Sequence, residues 1–166
     1  MTTIPDTINE IVTSLSNTLY LETANPKLAK NKFITETKEL QNQATFITDE
    51  GYFYFLSQFG DAILTFNDGG SISVFGFGYW EGMAITDYPL LDSNGLYVLA
   101  DYADSGDEML FFAYNSNEAA NANRIWVSNN LDSGFKPVYN DFLHLLKSIS
   151  SGEFEQNKHQ WLTPEK

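Results

Sequence analysis

The chain has 166 residues, of which 43% are hydrophobic and 15% aromatic, as expected for one domain with a packed core. It contains no cysteine, which excludes disulfides, thiolate catalysis and cysteine zinc sites and fits a reducing compartment. Residues 1–10 carry no basic residue and no apolar run, so no secretory signal is predicted. No stretch approaches the roughly 20 apolar residues that span a bilayer. We therefore expect a cytoplasmic protein.

The formal net charge is −13, and the charge is unevenly distributed along the chain. Between Glu39 and Asn123 there is no lysine, arginine or histidine, although aspartate and glutamate recur throughout this window. A surface of one sign repels nucleic acid and anionic membranes, and it attracts a basic partner. The alternative is that the charge only keeps an aromatic-rich domain in solution.

The first 60 residues predict helices. Thr7 and Glu10 have the spacing of a capping box, and apolar residues at helical spacing follow, so we predict a first helix to about Leu21. Residues 27–43 favour a second helix over a short strand. Residues 51–59 combine strand-forming residue types with helical spacing. Because Thr48 or Asp49 can cap their start and Gly60 can close their end, we predict a third helix.

The remainder predicts hairpins followed by a helix. Residues 62–66 and 71–77 form one predicted hairpin, residues 96–102 and 108–114 a second, and residues 124–128 a further strand. A last helix is predicted from about Tyr139 to Ser150, with an apolar stripe that starts at Val138. The predicted fold is α+β, an antiparallel meander sheet covered by N-terminal and C-terminal helices. It forms a single domain over residues 1–150, followed by a polar tail over residues 151–166 that is either mobile or loosely docked.

Four strings resemble one known family in their order along the chain. Residues 99–111 (LADYADSGDEMLF) resemble its strand, Gly-Asp turn and strand, and residues 125–127 (IWV) resemble the next strand. Residues 139–143 (YNDFL) resemble its closing helix, and residues 47–56 (ITDEGYFYFL) its early helix. Thr48 stands where the family has a proline, and Pro137-Val138 replaces its usual approach to the last helix. On these motifs, residues 46–149 resemble the SUKH superfamily, the Smi/Knr-type immunity proteins.

The resemblance implies a SUKH-like α+β fold and a function that depends on binding. Bacterial members of the family commonly neutralise a cognate toxin, often a nuclease, by binding it inside the cell. Other members have regulatory roles. The resemblance therefore predicts an immunity protein for a basic toxin, with a regulatory or scaffold protein that has no toxin as the alternative.

We expect the partner to bind at two acidic segments. The first is an irregular stretch in which tyrosine and tryptophan either anchor a partner or lie in the core, and the second is the turn of the second hairpin. A tryptophan in a β-rich run, Trp126, is expected in the core. The candidate partner-binding residues are Tyr79, Trp80, Glu81, Asp87, Tyr88, Asp101, Asp104, Asp107 and Glu108.

No catalytic residue and no cofactor is predicted. Neither His144 nor His159 has a nucleophile motif beside it. Residues 76–82 (GFGYWEG) have glutamate at position 81, where the phosphate-loop pattern requires its third glycine, and no lysine follows. The carboxylates of residues 101–108 are suitable ligands for Ca²⁺ or Mg²⁺, but their spacing does not match an EF-hand, so a metal-binding protein is a lesser alternative. We predict a non-enzyme that binds neither nucleic acid nor membrane, in which an exposed edge strand would make a homodimer easy to build.

Overall fold

The computed structural model describes residues 2–18, 20–23, 29–60, 62–66, 69–76, 95–104, 108–118, 120–131 and 133–162, with the backbone alone between residues 16 and 30. Over these residues the chain forms six helices and seven strands. The helices are α1 (Ile4–Thr18), α2 (Ala29–Gln43), α3 (Glu50–Phe59), α4 (Phe142–Ser151), α5 (Glu153–Asn157) and α6 (His159–Leu162). The strands are β1 (Tyr20–Thr23), β2 (Ala62–Thr65), β3 (Ser71–Val74), β4 (Leu96–Ala103), β5 (Met109–Asn115), β6 (Ile125–Ser128) and β7 (Lys136–Tyr139).

The strands form one sheet in which spatial order follows chain order from β1 to β7 and every neighbouring pair is antiparallel. Helix α1 packs against α3 and α4, α2 packs against α3, and α6 reaches β5. The predicted α+β fold, a meander sheet covered by helices from both ends of the chain, is therefore confirmed. The two predicted hairpins and the strand at residues 124–128 correspond to β2–β3, β4–β5 and β6.

One face of the sheet carries the hydrophobic core, because alternate residues of a strand point to the same face. Leu64, Ile72, Tyr102 and Leu110 lie opposite one another on β2 to β5, and all four are fully buried. The next row on the same face is also buried, and it consists of Val74, Ala100, Phe112 and Val127. We call this helix-covered side the core face.

Helix α3 forms as predicted because both of its ends are capped. The Asp49 side chain accepts hydrogen bonds from the backbone N–H groups of Gly51 and Tyr52, and Gly60 ends the helix with a φ of 64°. Helical spacing then places Tyr52, Phe55 and Leu56 in the core, where they are almost completely buried. Periodicity and capping thus outweigh the strand propensity of the aromatic run.

Helix α1 differs from the prediction at both ends. The capping box lies one turn earlier than expected, because the Thr3 backbone N–H and hydroxyl bond to the Asp6 carboxylate at 3.3 and 2.6 Å. The Thr7 hydroxyl instead bonds to the Thr3 carbonyl within the helical segment. The helix ends at Thr18 rather than near Leu21, since residues 20–23 pair with β2. Pairing with a strand distant in sequence overrides the local helical pattern here.

The predicted start of the last helix was wrong by three residues. Lys136–Tyr139 is the edge strand β7, where Pro137 is tolerated because an edge strand does not need every N–H for pairing. Helix α4 begins at Phe142, and Asp141 caps it by accepting from the His144 N–H at 2.8 Å. Gly152 ends it in the left-handed conformation, as its position predicted.

The tail is not loosely docked over the part that the structure describes. Phe154 of α5 is fully buried and contacts Phe66, Tyr102, Phe112 and Trp161 with ring centroids 5.3–6.2 Å apart. The Lys158 ammonium is nearly buried and donates to the Tyr102 hydroxyl at 2.9 Å and to the Glu155 carboxylate. The buried side chains of Phe154, Lys158 and Leu162 thus fix the helices of this segment to the core face.

Candidate binding surface

Three of the nine predicted partner-binding residues can be placed. Asp101, Asp104 and Glu108 lie on or beside the β4–β5 hairpin. The other six predicted residues lie outside the described part of the chain, and they are Tyr79, Trp80, Glu81, Asp87, Tyr88 and Asp107. Of the two predicted binding segments, the structure therefore describes only residues of the second, at the β4–β5 hairpin.

Asp104 and Glu108 flank the turn that joins β4 to β5. The Asp104 N–H donates to the Glu108 carbonyl at 3.1 Å, and the Glu108 N–H donates to Asp104 Oδ1 at 3.1 Å. One Asp104 oxygen therefore stabilises the backbone of the turn, which is a common structural use of aspartate. The Glu108 side chain is exposed. Both carboxylates remain at the surface, where they contribute negative potential at the hairpin end.

Asp101 differs from these two because it lies within strand β4, on the face opposite the core. Its cross-strand neighbours are Ser73 on β3 and Phe111 on β5, both partly buried. Burial raises the pKa of the Asp101 carboxyl to about 6. In the described part of the chain, no donor forms a hydrogen bond with this carboxylate and no cation lies within ion-pair distance. The cost of partly desolvating the Asp101 charge is therefore not offset by a hydrogen bond or an ion pair among the described residues.

Asp101 lies in a regular array of side chains on four strands. Two adjacent cross-strand rows form it, and each row takes one residue from each of β2, β3, β4 and β5. We call this array the outer face. Its residues are Ile63, Ser73, Asp101 and Phe111 in one row and Thr65, Ser71, Ala103 and Met109 in the other.

Unlike the core face, the outer face is partly accessible to solvent and contains both apolar and polar side chains. Ile63 and Met109, on β2 and β5, are exposed by 39% and 38%. The other six members are partly buried, whereas the residues that alternate with them along the strands are buried. No lysine or arginine occurs in β2, β3, β4 or β5. The outer face is therefore a contiguous, cation-free surface with Asp101 as its charged member.

A second buried carboxylate, Asp49, lies on the core face and has a structural role. Besides capping α3, its Oδ2 accepts from the Tyr114 hydroxyl at 2.8 Å and from the Phe142 N–H at 2.8 Å. Burial raises the pKa of Asp49, and the hydrogen bonds from Phe142 and Tyr114 oppose that rise. Burial and the nearby Asp49 charge raise the pKa of Tyr114, so its hydroxyl remains a donor. One side chain thus joins α3, α4 and β5.

A groove of about 480 Å³ lies between α2 and α3. Ile34, Phe53 and Tyr54 form its apolar part, and Lys38 and Glu50 add one charge of each sign to its walls. The Tyr54 hydroxyl is held by the Asn9 amide at 2.9 Å. Because the groove is mixed in charge and lies on the helical side, it does not share the one-signed character of the outer face.

The geometry does not assemble a metal site from the described residues: they contain no group of three histidine, aspartate or glutamate side chains that could hold an ion. Asp101 points to the outer face, while Asp104 bonds to the turn backbone. His144 is used locally, since its Nδ1 accepts from the Asn140 N–H at 3.1 Å. Asp101 and Asp104 therefore do not converge on one ion.

Sequence reasoning missed most of the outer face. It selected Asp101 for its charge but did not select Ile63, Phe111 or Met109, which look like ordinary core residues in a strand. Trp126, which was expected in the core, lies on the same side of the sheet, and its indole N–H is buried without a partner among the described residues. Alternation with Leu64, Leu110 and Phe112 is the signal that could have identified these residues. That signal is usable only once the core-facing parity of each strand is known.

In the described residues, no helix combines the length and the apolar composition that crossing a bilayer requires. No family model, curated protein or solved structure matches this chain.

Proposed function

We propose that this chain is a cytoplasmic immunity protein that binds a basic toxin and blocks its active site or its substrate path. The resemblance to the SUKH superfamily motivates the class of function. The binding mode follows from the surface: a cation-free sheet face and a hairpin end that carries carboxylates. The observation that carries the proposal is the outer face, which includes Asp101 and has Asp104 and Glu108 beside it. On this surface, negative charge and accessible apolar side chains coincide.

The two parts of this surface support binding in different ways. Exposed carboxylates such as Glu108 at the hairpin end act at long range, raising the rate at which a basic protein arrives. The large side chains Ile63, Phe111 and Met109 act at contact, because burying apolar area supplies most of the free energy of protein association. A toxin that acts on nucleic acid has a basic active-site surface for its own substrate, and an acidic binder covers such a surface by charge complementarity.

The test is co-expression with the protein encoded beside this chain's gene. We expect wild-type chain to protect cells from that protein and to bind it in vitro. The double variant Asp104→Lys with Glu108→Lys reverses the charge at the hairpin end, and we expect it to reduce the association rate about tenfold or more at low salt. Surface plasmon resonance at 50 and 500 mM salt measures this effect, which should shrink at high salt because screening removes long-range attraction.

The matched control is Glu10→Lys with Glu153→Lys, the same charge change at exposed positions on α1 and α5. We expect this control to alter the association rate much less than the hairpin variant. Equal effects of the two variants would show that net charge, rather than the hairpin surface, governs binding. Binding without protection of the cell would favour the regulatory or scaffold alternative.

A further inference from the structure

Asp101 is a charged side chain that the fold partly buries without a hydrogen-bond or ion-pair partner among the described residues. Its neighbours across the strands, Ser73 and Phe111, contribute no positive charge, and no described lysine or arginine lies within ion-pair distance of it. A partly buried carboxylate normally has hydrogen-bond donors or a cation beside it, since desolvation of the charge is otherwise uncompensated. Asp101 therefore has an unused capacity to accept a charged hydrogen bond.

We propose that Asp101 receives one lysine or arginine side chain of the toxin, whose aliphatic stem lies along Phe111 on the outer face. This inference rests on the proposed function and assigns the central contact of that interface. A lysine or arginine joins an apolar stem to a charged head, and both parts fit here. The stem would cover the apolar part of the row formed by Ile63, Ser73, Asp101 and Phe111, and the head would reach the carboxylate. An arginine head can also contact the Phe111 ring face.

Charge complementarity selects a cationic group over the other occupants of such a surface. A divalent ion needs several oxygen ligands, and the described residues provide no three-carboxylate group. A second copy of this chain would bring another molecule with a net charge of −13 onto an acidic surface, which is unfavourable. A basic protein instead supplies the charge that the outer face lacks.

The proposed contact couples binding to pH. Burial raises the pKa of Asp101 to about 6, and the residues opposite it on β3 and β5 do not titrate. Because a lysine or arginine head binds the ionised carboxylate, the free protein must release a proton at low pH before the contact forms. Affinity should therefore be full above pH 7 and fall about tenfold between pH 7.5 and pH 5 through this group alone.

The experiment measures the Kd of the chain for the toxin domain encoded beside it, in a catalytically inactive form, at pH 7.5 and pH 5 by calorimetry. Asp101→Asn keeps the shape of the side chain and removes its charge, and Glu10→Gln on α1 removes the same charge far from the outer face. At pH 7.5 we expect Asp101→Asn to weaken binding about 10- to 100-fold, the range for losing one charge-assisted hydrogen bond, and Glu10→Gln to change it less than about twofold.

The pH comparison removes titrations that belong to the toxin. The ratio of the Kd values at pH 5 and pH 7.5 should be about ten times larger for wild type than for Asp101→Asn, since other groups affect both proteins alike. If wild type binds but Asp101→Asn matches Glu10→Gln, the cation-receptor assignment is overturned while the proposed function stands. Equal pH ratios also overturn it. If wild type neither binds the toxin domain nor protects cells, the proposed function itself fails, and this inference fails with it.

Discussion

Each face of the sheet holds one aspartate that burial affects, buried Asp49 on the core face and partly buried Asp101 on the outer face, and their surroundings differ. On the core face, Asp49 is 3% exposed and accepts hydrogen bonds from Gly51, Tyr52, Tyr114 and Phe142. On the outer face, Asp101 has no such donor among the described residues. Burial raises the pKa of both groups, but hydrogen bonds oppose the rise at Asp49 and do not at Asp101. One carboxylate stabilises the fold, and the other is available to a partner.

The comparison teaches that burial alone does not identify a functional acid. Two helix N-termini and a tyrosine hydroxyl surround Asp49, so its charge is used within the fold to fix α3, α4 and β5. Among the described residues, no side chain donates a hydrogen bond to Asp101 or forms an ion pair with it. An acid that is partly desolvated yet uncompensated is the better candidate for binding, because an incoming cation can supply what the fold does not.

The largest expected effect on stability comes from removing the Asp49 carboxylate on the core face. Asp49→Ala removes the acceptor of two short hydrogen bonds and of the α3 cap, leaving several buried donors unsatisfied. We expect a loss of about 4–5 kcal/mol in the free energy of unfolding, since each buried unsatisfied group costs roughly 1–3 kcal/mol. Urea denaturation followed by circular dichroism measures it. Asp6→Ala, a change to an exposed cap, should cost much less, and a similar loss from both variants would contradict the central role of Asp49.

A second prediction compares phenylalanines on the two faces. Phe154→Ala leaves a cavity among Phe66, Tyr102 and Phe112, so we expect it to lower the free energy of unfolding by about 3–5 kcal/mol. Phe111→Ala on the outer face should cost about 1 kcal/mol, because the ring is already partly exposed. Thermal and urea unfolding provide the comparison. Equal losses would mean that the outer face is packed as tightly as the core.

The smallest expected effect has the opposite sign and concerns Asp101. Its folded pKa of about 6 exceeds the ordinary aspartate value of 3.8, so the protonated side chain favours folding and this advantage is lost as pH rises from about 4 through 6. At pH 7.5 we expect Asp101→Asn to stabilise the protein by about 1–2 kcal/mol, a figure reduced for partial solvent screening. The gain should disappear near pH 4. Destabilisation at pH 7.5 would show that the carboxylate has an internal partner.

Local signals predicted much of this fold. Helix α3 is defined by Asp49, Gly60 and the spacing of Tyr52, Phe55 and Leu56, all within twelve residues of chain. The β4–β5 hairpin follows from two β-rich segments around a turn of aspartate, serine and glycine. Such features depend on interactions between residues close in sequence, so the sequence is sufficient to detect them.

Features that depend on distant pairing were mispredicted. Strands β1 and β7 have four residues each, and each is strand because of the neighbour it pairs with, β2 for one and β6 for the other. The short stretch that contains Val138 and Tyr139 fits a helical stripe equally well until β6 is in place. Likewise the docking of Phe154 depends on a pocket built from β2, β4 and β5 residues or their neighbours, which no local pattern reveals.

The candidate surface divides in the same way. The sequence by itself determined that a long window of chain has carboxylates and no cations, and that Asp101, Asp104 and Glu108 cluster near one turn. Only the tertiary structure decided that Asp49 is satisfied within the core and that Asp101 has no hydrogen-bond donor among the described residues. The physical reason is that both positions depend on contacts between residues distant in sequence. Strand register places Asp101 on the outer face, whereas the contacts of Asp49 with Tyr114 and Phe142 enclose Asp49 at the start of α3.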